Sequence, residues 1–98
     1  MFEWLDKKSV KSDKGYIWKR QHRFYSFYIE NDHVLKVFVE GTFDKEDNYS
    51  LLVNSNFNKT WESPFNRERI LEDKIKEIKQ NIIEALIFMN INYEFTKL

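Results

Sequence analysis

The sequence predicts an α+β domain: an antiparallel meander of three to five strands, covered on one face by a single long C-terminal helix as a two-layer sandwich. Three observations predict it. Aromatic and β-branched runs alternate through residues 24–54. An apolar stripe at helical spacing follows, in the order Leu71, Ile75, Ile78, Ile82, Leu86 and Met89. The chain has 98 residues, enough for one core and one domain.

The elements follow in order. Residues 1–23 read as a basic N-terminal arm, with Tyr16–Lys19 able to extend the sheet at its edge. Phe24–Glu30 is a strand. Asn31-Asp32-His33 supplies a turn, because Asn and Asp tolerate positive φ. Val34–Glu40 is the second strand, with Leu35, Val37 and Val39 on one face and Lys36, Phe38 and Glu40 on the other. Gly41–Asn48 is a polar loop, and Tyr49–Asn54 is the third strand. Lys59–Glu62 is a short fourth one, which carries the strand region to residue 62. The helix is placed at 66–90, capped by Ser63 or Asn66, with Pro64 suited to the first turn. Glu72 and Lys76 form an i,i+4 pair in the favourable order. Residues 91–96 return as an edge strand.

Composition excludes several classes. Sixteen basic and sixteen acidic residues give a formal net charge of zero, unlike the basic surplus of a duplex-DNA binder. Absence of cysteine removes disulfides, thiolate zinc sites and a Cys nucleophile. The N-terminal residues lack the apolar run and cleavage site of a secretory signal. The most hydrophobic stretch, Ile82–Met89, is far too short to span a bilayer, so no membrane partner is expected and a cytoplasmic protein is the simplest reading.

Catalytic constellations are missing. Neither His22 nor His33 lies at ligand spacing to another His. His33 reads as a solvated turn residue and His22 as part of a cationic face. Asp44, Glu46 and Asp47 resemble half a calcium loop, but the glycine and the closing glutamate are absent. Gly15 and Gly41 stand alone, and no serine sits in a nucleophile elbow. No enzyme activity, metal or cofactor is expected.

Two charged segments are candidate binding sites. Residues 1–23 carry Lys7, Lys8, Lys11, Lys14, Lys19, Arg20 and Arg23 against three acids, while the remainder has an acidic excess. Within residues 40–47, the carboxylates Glu40, Asp44, Glu46 and Asp47 surround Phe43. That pattern suits docking onto a cationic surface such as the active-site cleft of a nuclease, with charge steering the encounter and the ring anchoring it. The alternative partner-binding set is Lys19, Arg20 and Arg23. A second functional reading takes the stretch Trp18–Tyr25 as a nucleic-acid or regulatory surface, since bases stack on rings while cations hold phosphate. The acidic excess elsewhere makes nucleic acid the less expected partner.

A resemblance joins these observations. The chain runs from strands into Trp61-Glu62-Ser63-Pro64, then Ile70-Leu71 with Lys74 and Lys79, then Asn81-Ile82-Ile83-Glu84-Ala85-Leu86, then Ile91-Asn92-Tyr93-Glu94. Over residues 24–95 it resembles small bacterial immunity proteins of polymorphic-toxin and contact-dependent growth inhibition systems. The resemblance implies a non-enzymatic inhibitor that binds one cognate toxin domain, at its active site or a neighbouring exosite, and protects the cytoplasm of the producing cell. It implies nothing about oligomeric state.

Overall fold

A computed structural model describes residues 1–96. Seven strands form one sheet in sequence order: β1 (Phe2–Asp6), β2 (Ser9–Ser12), β3 (Tyr16–His22), β4 (Tyr25–Glu30), β5 (His33–Phe43), β6 (Tyr49–Asn54) and β7 (Tyr93–Thr96). The helix α1 (Glu72–Phe88) lies between β6 and β7 in the chain. Neighbouring strands are antiparallel except β6 and β7, which run parallel. A parallel pair needs a crossover, and the segment carrying α1 supplies it.

The α+β class holds, and the strand count exceeds the expected three to five. The predicted N-terminal arm is sheet. β1 and β2 pair through Phe2↔Ser12 and Trp4↔Val10, and β2 continues onto β3. The apolar alternation there is sparse: Ser9 and Ser12 are buried where an aliphatic residue would mark a strand. Tyr16–His22 is an internal strand rather than an edge, and its Trp18 is a fully buried core residue.

Register explains the core. Val10, Trp18, Tyr28 and Leu35 are directly paired across β2 to β5, and all four are buried. Directly opposed residues share a face, so this row lines the side that α1 covers. The opposite face carries the rows Lys11, Ile17, Ile29, Val34 and Lys19, Phe27, Lys36. The β4–β5 turn is tighter than expected. Asn31 and Asp32 hold φ of 50° and 63°, as a two-residue type I′ turn requires, and His33 already pairs with Glu30. β5 pairs with β4 through residues 33–38 and with β6 through 39–43, so the two wings of the sheet join along one strand.

The helix is shorter than predicted. Ser63 and Asn66 do not cap it; Leu71 is the N-cap, without a side-chain cap bond, and is 69 % exposed. The segment before it wraps the edge of β5 instead. The Glu62 amide donates to the Val34 carbonyl, the Ile70 amide to the Lys59 carbonyl, and Trp61 and Ile70 are buried. Thr60 makes a single bridge to Arg69, which replaces the expected fourth strand at 59–62. Pro64 follows a cis peptide bond in this wrap and does not open a helix. The stripe reaches the core through Ile78, Ile82 and Leu86, all fully buried, with Ile75 and Met89 at its margins. Buried Asn81 is satisfied: its Nδ2 donates to the Tyr28 hydroxyl at 2.9 Å, which donates to Glu30 Oε1 at 2.5 Å.

Ile78→Ala and Ile82→Ala should each lose about 2–5 kcal/mol of stability in urea denaturation, whereas Leu71→Ala should change it by about 0.5 kcal/mol or less. Equal effects at all three positions would mean that the stripe is not seated as described.

Candidate interaction surface

The β5–β6 tip is built by its own side chains. Asp44 Oδ1 accepts the backbone N–H of Glu46 at 2.8 Å and of Asn48 at 3.0 Å, and its Oδ2 accepts Asn48 Nδ2 at 3.2 Å. The amide bonds from Asn48 and Glu46 hold the Asp44 carboxyl below the ordinary aspartate range. The Asp44 amide donates to the Asn48 carbonyl and the Asp47 amide to the Asp44 carbonyl, with Asp47 at φ 62°. Asp44 therefore organises the loop, leaving Glu46 and Asp47 exposed to solvent.

Phe43 is 65 % exposed at the end of β5 and packs edge-on against Tyr49, with ring centroids 5.4 Å apart. The Tyr49 ring lies over Gly41: a Cβ there would come within 2.9 Å of Tyr49 Cε1, so a larger residue would push the ring aside. Glu40 does not join this cluster. The β5–β6 ladder is regular, with Glu40 opposite Leu52 and Phe43 opposite Tyr49, so Glu40 and Phe43 occupy opposite faces. Sequence proximity could not show this without the register.

The basic set is also divided. Arg20 Nη1 donates to the Tyr49 hydroxyl at 2.8 Å, and its guanidinium lies 5.8 Å from that ring. This contact links the cationic end of the sheet to the acidic tip through Tyr49. Lys19, one residue earlier, pairs beside Phe27 on the helix-free face. Arg23 sits in the β3–β4 turn with its guanidinium 5.2 Å from the Phe24 ring. A cleft of about 380 Å³ brings Arg20 and Arg23 together with Lys7 and Lys8 over an apolar floor of Met89 and Ile91. Lys7 and Lys8, which the sequence places in a basic arm, occupy the β1–β2 turn. The stretch 18–25 is no continuous stacking platform, since Trp18 is buried and Lys19 and Arg20 point to opposite faces.

His33 is not a solvated turn residue. It begins β5 and faces inward, stacked on Phe65 at 3.7 Å and edge-on to Trp61 at 5.2 Å. Its Nδ1 lies 2.7 Å from the Asn31 carbonyl oxygen, and its Nε2 lies 3.1 Å from both Glu68 oxygens. The Asn31 carbonyl and then Glu68 raise its pKa above the usual 6.5. A groove of about 560 Å³ beside it is lined by Glu30, Glu68, Lys74 and Glu77. Burial opposes ionisation of Glu30, but hydrogen bonds from Lys74 and Tyr28 outweigh it and leave the carboxyl below its usual value. Lys74 in turn contacts both Glu30 and Glu77. Among the described residues no group of three or more His, Asp and Glu is placed to hold a metal ion, and no helix is long and apolar enough to cross a membrane.

The order of elements from β4 to β7, with the Trp61–Pro64 wrap before α1, is the part that resembled immunity proteins. The sequence model of the family described as Immunity protein 74 matches residues 26–96. The chain belongs to that immunity-protein family. No curated protein matches it. No solved structure matches it either. The match takes in the β5–β6 tip with Phe43, Asp44, Glu46 and Asp47, whereas Lys19, Arg20 and Arg23 precede it.

Because His33 titrates above its unfolded value, its contacts contribute fully below about pH 6.5 and are lost as pH rises through the folded value. NMR titration should place His33 above 6.5, and Glu68→Gln should lower that value. The thermal midpoints of wild type and Glu68→Gln should differ most at about pH 5.5 and converge above about pH 8.5. A difference that does not vary with pH would contradict the assignment.

Proposed function

We propose that this immunity-family chain neutralises one cognate toxin domain by binding it, without turnover, in the cytoplasm of the cell it protects. Phe43 is the apolar anchor, and Glu46 and Asp47 face cations on the toxin, as a nuclease cleft would supply. The observation that carries this reading is an exposed aromatic ring beside carboxylates on a loop that Asp44 has already ordered. A pre-ordered loop loses little conformational entropy on binding, so more of the contact energy appears as affinity. Membership of an immunity family supports a toxin as the partner. Glu40, on the other face, would reach the same toxin only if the partner wraps the strand.

A second reading has one specific support. The cleft lined by Lys7, Lys8, Arg20 and Arg23 over Met89 and Ile91 suits an acidic toxin surface, with Lys19 contributing from the far face.

Co-expression with the cognate toxin domain should restore growth, and purified components should form a complex. Phe43→Ala should speed dissociation and lose about 2 kcal/mol or more of affinity. Glu46→Gln with Asp47→Asn should slow association and flatten its salt dependence. Asn suits the positive φ at position 47, so the loop should keep its shape. Tip variants that neutralise like wild type, with Arg20→Ala/Arg23→Ala inactive, would move the site to the cationic cleft.

A further inference from the structure

α1 covers one face of the sheet, and the other face carries an apolar patch over β4, β5 and β6. Along β5 the residues pointing there are Lys36, Phe38 and Glu40 at successive alternate positions. Phe38 is 45 % exposed and is paired with Tyr25; Phe24, also exposed, and Leu52 line the adjoining hollow of about 370 Å³ with Glu40. Lys36 Nζ lies 4.2 Å from the Tyr25 ring centroid and 5.7 Å from that of Phe38. Among the described residues neither Lys36 nor Glu40 has an opposite charge within 4.0 Å.

We propose that this face binds a second copy of the same chain, sheet against sheet, about a two-fold axis through Phe38. The stripe is its own complement. An axis lying between the sheets and perpendicular to β5 sets the two β5 strands antiparallel, with Phe38 against Phe38 of the second copy. Lys36 of each chain then meets Glu40 of the other, twice by symmetry. Two twisted sheets pack this way at about 10 Å with strand directions within about 30°, a gap that aromatic side chains fill. The rings supply the apolar contact, and the paired charges set orientation and register more than affinity. A nucleic acid would meet Glu40 as a repulsive charge beside Phe38. The inference does not depend on which toxin surface is bound, and the β5–β6 tip stays free in such a dimer to the extent that Phe43 points to the other face.

Sedimentation velocity of the whole protein between about 5 and 500 μM tests it, because dimer population follows protomer concentration. The average mass should rise with concentration toward twice the 12.1 kDa of one chain. Lys36→Glu and Glu40→Lys should each weaken association at least tenfold, and the double variant Lys36→Glu/Glu40→Lys should restore it. Phe38→Ser should abolish it. Circular dichroism should show wild-type fold for all four, since the positions lie outside the core. A chain that stays monomeric throughout overturns the proposal, and then a tenfold loss of toxin binding by Phe38→Ser assigns the face to the toxin. A dimer that survives Phe38→Ser, or that the double variant fails to restore, overturns it as well.

Discussion

A single helix of 17 residues has to close one face of a seven-stranded sheet. Seven strands at about 4.8 Å span close to 30 Å, whereas a helix with its side chains is about 10–12 Å wide. The rest of the fold answers that mismatch. Wide side chains on the sheet, Tyr16, Trp18 and Tyr28, fill what aliphatic residues would leave open. At one flank Phe2 and Trp4 pack on Phe88 at the end of α1. At the other the segment 55–71 folds over the edge of β5 and buries Phe57, Trp61 and Ile70. The helix starts late because those residues are needed as cover, not as a first turn.

The same constraint leaves the second face of the sheet uncovered, and this arranges the surface chemistry. Residues that alternate along a strand are sorted to different environments. Glu40 goes with Phe38 and Lys36, and Phe43 goes with Tyr49. Lys19 goes with Phe27, and Arg20 goes with Tyr49. Charges adjacent in sequence thus end on separate surfaces, and charges distant in sequence meet. The Arg20–Tyr49 hydrogen bond is the point where basic and acidic segments touch, so a partner at the tip also feels the cationic end.

Several polar groups within the fold hold its elements together. Asn81, Tyr28, Glu30, Lys74 and Glu77 form a connected set that ties α1 to β4. His33 and Glu68 pin the wrap to the start of β5. Asp44 spends its carboxylate on loop amides. Phe43, Glu46, Asp47 and Phe38 are among the side chains left exposed, and the chain's family is one of immunity proteins.

The sequence by itself determined the α+β class, the β4–β5 hairpin, the face assignment along β5, the stripe Ile78–Ile82–Leu86 and the kind of protein this is. These rest on local periodicity, turn chemistry and an order of elements, which need no knowledge of distant contacts. Of the candidate site, the exposure of Phe43 was legible because it falls in the polar segment beyond the aliphatic run of Val34–Glu40, although alternation alone would put it on the core face. Only the tertiary structure decided that β1 and β2 are strands, since buried Ser9 and Ser12 carry no apolar signal. It alone decided that the helix begins at Glu72, because burial of Trp61 and Ile70 outweighs the capping preference of Ser63 and Asn66. It alone separated Glu40 from Phe43 and joined Arg20 to Tyr49, because cross-strand register, and not proximity along the chain, determines which side chains share a surface.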